Sequence, residues 1–193
     1  MSPTRRIRLL GIAGSLRAGS YNRALLRAAR ELAPEDVELV EFDLRSLPHY
    51  DGDLEVAGDP EPVRELKDAI RDADALLIAT PEYNRGTSGV LKNAIDWASR
   101  PPFGSPLTGK PVAIVGASTG LSGTRRAQQQ VRDALSFPGA DVLEDGLAVT
   151  EAYEKFEDDE LTDEATREQL REVVEELTDT VRLAHPIAAT LAA

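Results

Sequence analysis

Apolar residues fall along this chain in two patterns: short unbroken runs, and longer stretches with an apolar side chain every third or fourth place. Ile7 to Ala13 (IRLLGIA) is short and branched and predicts a buried strand. Asn22 to Leu32 carries Ala24, Leu25, Ala28, Ala29 and Leu32 at helical spacing, and Pro34 stops that helix. Val37 to Phe42 (VELVEF) alternates as a strand does, and an irregular stretch rich in Asp, Gly and Pro follows from Leu44 to Pro60. Pro62 stands near the start of the next helix, where its missing N–H costs little, and Val63, Leu66, Ala69 and Ile70 form the apolar face. Ala75 to Thr80 (ALLIAT) is apolar without alternation, which predicts a strand buried on both faces. Ser88 to Ser99 reads as helix, ended by Pro101-Pro102. Pro111 to Ala117 (PVAIVGA) predicts another buried strand, with a helix from Thr124 to Leu135 after it. Ala140 to Leu147 predicts a fifth strand, extendable to Ala152, and the last helix runs from Thr162 to Leu183.

Strands and helices in strict alternation predict an α/β fold, because right-handed crossovers place helices on both faces of a parallel sheet. With no internal repeat and no low-complexity linker, residues 1–193 read as a single domain. Five strands favour a flavodoxin-like three-layer sandwich in the order 2-1-3-4-5 over the six-stranded dinucleotide fold. In either, ligands bind beyond the carboxyl ends of the strands at the switch point, so the loops after strands 1, 3 and 4 carry the expected site.

Composition narrows the chemistry. Thirty-four acidic residues against 22 basic ones give a net charge of -12, which argues against a nucleic-acid partner or an anionic membrane surface. The absence of cysteine removes disulfides, iron–sulfur clusters, thiolate zinc sites and thiol nucleophiles. Two histidines, His49 and His185, lie far apart in the sequence, so no metal site is expected. No apolar run approaches the roughly 18 residues of a membrane span, and the N-terminus leads into a strand without a cleavage signal, so a cytoplasmic protein is expected.

The loop after strand 1 is Gly14-Ser15-Leu16-Arg17-Ala18-Gly19-Ser20-Tyr21-Asn22. It opens a helix, so free N–H groups and the positive end of the dipole face it. Ser15 and Ser20 add hydroxyls, Asn22 an amide and Arg17 a permanent cation, a collection suited to a phosphate dianion. The competing reading is that Ser20 or Asn22 caps the helix while Arg17 lies in solvent. The loop lacks the Gly-Lys-Ser/Thr of a Walker A sequence. It also breaks the dinucleotide fingerprint, since Gly19 falls too late after Gly11 and Gly14. Asp43, at the end of strand 2, is either an adenosine-ribose ligand or a turn residue. The loop after strand 3 runs Pro81-Glu82-Tyr83-Asn84-Arg85-Gly86, an aromatic, an amide, a carboxylate and an arginine able to meet the polar edge of a flat ring. The competing reading is that Glu82 pairs with Arg85 or another arginine while Tyr83 covers the edge of the core. After strand 4, Ser118-Thr119-Gly120 offers small residues that let a ligand approach the backbone, with Thr124 as the expected helix cap.

Three stretches in this order, Gly14-Ser15-Leu16-Arg17-x-x-Ser20-x-Asn22, Thr80-Pro81-Glu82-Tyr83-Asn84 and Gly89-x-Leu91-Lys92-Asn93-Ala94-Ile95-Asp96-Trp97, resemble the NADPH-dependent FMN reductase family, which includes quinone, chromate and azo-dye reductases. The resemblance runs from Ile7 to Thr124 and weakly beyond. It implies a flavodoxin-like FMN-binding enzyme. Ser15, Arg17, Ser20 and Asn22 would hold the FMN phosphate, Pro81, Glu82, Tyr83 and Asn84 would line the isoalloxazine, and Ser118, Thr119 and Gly120 would form the opposite wall. It also implies that NADPH or NADH delivers hydride to the flavin, which then reduces quinones, free flavin, azo dyes or metal oxyanions. No side chain is then needed as acid, base or nucleophile. A homodimer or homotetramer is implied as well, with Trp97 and Leu91 either anchors of that interface or core. Two rival readings are a non-enzymatic flavodoxin-like electron carrier and a nicotinamide dehydrogenase.

The charge is unevenly spread. Glu151 to Asp179 holds 13 acidic residues against Lys155, Arg167 and Arg171, which leaves the rest of the chain close to neutral. An acidic loop from Glu154 to Glu160 and the solvated face of the last helix are expected to carry it, with solubility as its role.

Overall fold

A computed structural model describes residues 5–184; His185 lies outside them. Four parallel strands, β1 (Ile7–Ala13), β2 (Val37–Phe42), β3 (Ala75–Ala79) and β4 (Pro111–Ala117), stand in the order β2-β1-β3-β4. Two short strands, β5 (Asp141–Val142) and β6 (Leu147–Val149), share the outer edge of β4, completing the expected 2-1-3-4-5 order.

That divided edge corrects the continuous fifth strand expected from Ala140 onward. Val112 pairs with Val142 and Val115 with Leu147, so the edge carries surplus residues and bulges between them. Arg132 draws the bulge out of the ladder by donating to the carbonyls of Leu143 and Glu144, the latter at 2.8 Å. Gly146 brings the edge back: a Cβ there would stand 2.4 Å from the Ile114 carbonyl oxygen, so only glycine passes. The strand ends at Val149, and Ala152 already begins a 3-10 turn, Ala152–Glu154.

Among the described residues there are six α-helices: α1 (Tyr21–Leu32), α2 (Gly52–Ala57), α3 (Glu61–Asp72), α4 (Gly89–Ala98), α5 (Arg125–Ser136) and α6 (Glu164–Ala184). α2 lies within the stretch expected to be irregular. None of its residues is buried, so no apolar period marks it. The expected acidic loop from Glu154 to Glu160 is instead a hairpin, β7 (Phe156–Glu157) and β8 (Glu160–Leu161), turning on Asp158 and Asp159 with φ of 47° and 64°.

Alternate residues of the central strands serve two cores. Leu9, Leu77, Ala79 and Val115 face α1 and α6, while Leu10, Leu76, Ile78 and Ile114 face α3, α4 and α5. Burial of each leucine, isoleucine or valine among them contributes about 2 kcal/mol, and burial on both faces explains the unbroken apolar run of β3. Trp97 is wholly buried, donates from Nε1 to the Pro48 carbonyl at 2.9 Å and meets Tyr50 edge-on. Leu91 is equally buried, so both residues are core. Among the described residues no helix is long and apolar enough to cross a membrane, and no group of His, Cys, Asp and Glu is placed to hold a metal.

Candidate functional site

β1, β3 and β4 end side by side, and the loops that leave them meet in one cleft. Ser15, Arg17, Ser20 and Asn22 line it from the first loop, Pro81, Glu82 and Tyr83 from the second, and Ser118 and Thr119 from the third. Asn84 and Gly120, expected with them, lie outside the lining. Gly19, Tyr21 and Ala117 complete the wall; only their position beside expected residues marks them in the sequence. The first two loops approach closely because residue 14 is glycine: a Cβ there would touch Pro81 Cδ and Ser88 Oγ at 3.0 Å.

At the first loop the chain turns from β1 into α1, and Ser20 caps the helix by accepting from the Arg23 N–H at 3.3 Å. Among the described residues, the backbone N–H groups from Ser15 to Asn22 donate to no protein acceptor. Ser15 is buried, whereas Arg17 is exposed and enters no ion pair among the described residues. Unspent N–H groups, a hydroxyl, a guanidinium and a helix N-terminus together suit a phosphate dianion. Asn22 is differently employed. Its side chain, 4% exposed, donates to the Ala117 carbonyl and accepts from the Ala117 N–H, which leaves its second amide hydrogen and its backbone N–H for a ligand.

The second loop closes as a two-residue turn. Tyr83 and Gly86 exchange both backbone hydrogen bonds, at 2.9 and 3.0 Å, around Asn84 (φ 51°) and Arg85 (φ 66°). Asparagine tolerates that left-handed backbone; arginine does so at a cost, which the surroundings must offset. They do so from α5. Thr87 N–H donates to Gln130 Oε1 at 3.0 Å, and the same oxygen stands where a Cβ on Gly86 would be. Glu82 reaches across to accept from the N–H groups of Arg126 and Ala127, at 3.1 and 3.3 Å, which caps α5. Thr124, expected as that cap, makes no capping bond; it accepts instead from Gln128 Nε2 at 2.9 Å. Gln130 is thus a positioning residue that the sequence hid within a run of three glutamines. The turn leaves Tyr83 53% exposed at the mouth of the cleft. In the third loop, Ser118 accepts from the Gly120 N–H at 3.0 Å and receives the Ala152 N–H on its carbonyl at 3.0 Å, which fixes the opposite wall.

A second, larger cleft lies between α4 and α5, lined by Lys92, Asp96, Ser99, Arg100 and Phe137 among others. It gathers the C-terminal ends of both helices, where the dipole disfavours anions, at the end of the sheet away from the three loops. Asp43 is a turn residue: it accepts from the Arg45 N–H at 3.0 Å and pairs with the Arg45 guanidinium at 2.6 Å.

Residues 7–154 match the model of a family described as NADPH-dependent FMN reductase. The chain is 44% identical over 178 residues to an NAD(P)H-dependent FMN reductase of Pseudomonas aeruginosa, covering 91% of this chain and 96% of that protein. It is 40% identical over 177 residues to a quinone reductase of Pseudomonas putida, covering 89% and 93%. Among solved structures it resembles the flavoenzyme NAD(P)H:(acceptor) oxidoreductase FerB of Paracoccus denitrificans, with a TM-score of 0.84 and 36% identity over 92% of this chain and 98% of that one.

Proposed function

The chain belongs to the NADPH-dependent FMN reductase family, and we propose that it oxidises NAD(P)H and reduces small electron acceptors, quinones above all, through FMN seated in the three-loop cleft. The observation that carries this reading is the asymmetry of the cleft. Unspent donors gather at the first loop, while an exposed tyrosine on a braced turn stands at the second. When bound, FMN supplies the exchange of an electron pair between a nicotinamide and an acceptor; the protein supplies position and electrostatics.

Ser15, Arg17 and the N–H groups of the first loop would hold the phosphate, with Ser20 and Asn22 contributing mainly through the backbone. Pro81, Glu82 and Tyr83 would border the ring, Asn84 would support them from the turn, and Ser118, Thr119 and Gly120 would close the other side. Among the described residues the N–H groups of Asn84 and Arg85 have no acceptor, and donors so placed would stabilise negative charge at the ring's polar edge. No side chain need act as acid, base or nucleophile.

We read residues 1–193 as one FMN-binding domain that works in the cytoplasm as a homodimer or homotetramer. Phe103 and Phe137, almost wholly exposed, support burial against a second copy. Steady-state oxidation of NADPH or NADH with a benzoquinone acceptor tests the enzymatic reading. Many turnovers per flavin are expected; arrest after one reduction would make the chain an electron carrier.

A further inference from the structure

The acidic hairpin β7–β8 is packed on the first two turns of α1, beside the loop assigned to the phosphate. Tyr21 stacks on Phe156 with ring centroids 5.0 Å apart, and Arg27 Nη2 donates to the Asp159 carbonyl at 2.6 Å. These contacts bring the Asp159 carboxylate against Gly19: a Cβ on that glycine would stand 3.2 Å from Asp159 Oδ1 and 3.8 Å from Oδ2. Among the described residues the carboxylate takes no hydrogen bond and no ion pair; Arg27 donates to the main-chain oxygen of the same residue instead. Nor does the turn need the charge. At φ 64° the position favours residues that tolerate a left-handed backbone, and asparagine or glycine would serve as well.

An unneutralised carboxylate therefore borders a loop otherwise built of anion-binding groups. We propose that Asp159 is an affinity-setting residue, which weakens the hold of the first loop on the FMN phosphate so that the flavin is bound loosely enough to exchange. This rests on the reading of residues 15–22 as the phosphate end. It gives part of the acidic C-terminal region a function other than solubility.

The test is flavin titration of the full-length chain, freed of flavin, followed by flavin fluorescence, with FMN and with riboflavin, which lacks the phosphate. Asp159→Asn keeps the backbone preference of the turn and removes the charge. It should tighten FMN about fivefold in low salt, with the gain shrinking at about 0.5 M salt, where the Debye length falls to a few ångströms. Riboflavin affinity should not change. Asp158→Asn removes the same net charge from the neighbouring position and should tighten FMN clearly less. Unchanged FMN affinity in Asp159→Asn, equal tightening in both variants, or equal tightening of riboflavin would overturn the proposal. If the wild-type chain itself binds riboflavin as well as FMN, the phosphate reading of the first loop fails, and the proposal with it.

Discussion

The side-chain amide of Asn22 forms a two-bond ring with the backbone of Ala117, donating to its carbonyl at 3.1 Å and accepting from its N–H at 2.9 Å. One buried residue thereby ties the start of α1 to the end of β4, and so one wall of the cleft to the other. Removing it leaves a buried N–H and carbonyl unpaired, at a cost of about 1–3 kcal/mol. Asn22→Ala should lower stability by about 2 kcal/mol in urea unfolding and weaken FMN binding in the same variant. Asn22→Asp should not rescue it, because a carboxylate cannot donate to the Ala117 carbonyl.

Arg17 presents the opposite case, an exposed cation with no protein partner among the described residues. Arg17→Ala should leave the stability of the flavin-free chain unchanged. A lost charge-assisted bond should weaken FMN about tenfold and riboflavin not at all. Equal weakening of both flavins would place the guanidinium away from the phosphate.

Glu82 joins the second loop to α5 through the N–H groups of Arg126 and Ala127. Glu82→Ala should cost about 1 kcal/mol as a lost helix cap, and Glu82→Gln, which keeps an accepting oxygen, should cost less. Because the same link steadies the turn at Tyr83, Glu82→Ala should also alter the visible spectrum of bound flavin. Gln130→Leu, which removes the acceptor for Thr87 N–H, should move that spectrum too.

Arg85 sits at φ 66°, where a Cβ is penalised. Arg85→Gly should therefore stabilise the flavin-free chain by about 0.5–1 kcal/mol in thermal or urea unfolding. If the guanidinium also meets the nicotinamide or the acceptor, the KM for one of them will rise in Arg85→Ala. Unchanged kinetics for both would confine the residue to the turn.

The Asp163 carboxylate accepts from both the N–H and the hydroxyl of Thr166 at the start of α6, and these bonds hold its pKa below the usual carboxylate value. A group whose folded pKa is depressed stabilises above its unfolded pKa, and that stability is lost as pH falls through the folded value. Asp163→Ala should thus cost about 1 kcal/mol at neutral pH, and the difference from wild type should vanish in acid below the folded pKa.

The parallel sheet was legible because the strands buried on both faces leave unbroken apolar runs, as Ala75 to Ala79 does. The three loops follow from topology, and their residue types suggest a phosphate end and a ring end. Less was written in local pattern where long-range contacts decide. The break between β5 and β6 depends on Arg132 and on the clearance at Gly146, both set by neighbours distant in sequence. α2 has no buried face to produce a period, and β7–β8 pairs only two residues per strand. Within the site, residue type does not reveal that Asn22 also bonds the backbone of Ala117 and Glu82 that of Arg126 and Ala127, because those partners are distant in sequence.

The central claim is that FMN occupies the three-loop cleft, and a crystal structure of the chain grown with FMN tests it most directly. The account predicts phosphate oxygens within hydrogen-bond distance of Ser15, Arg17 and the first-loop N–H groups, and the ring between Tyr83 and Ser118. Flavin in the cleft between α4 and α5, against Lys92 and Arg100, would contradict it.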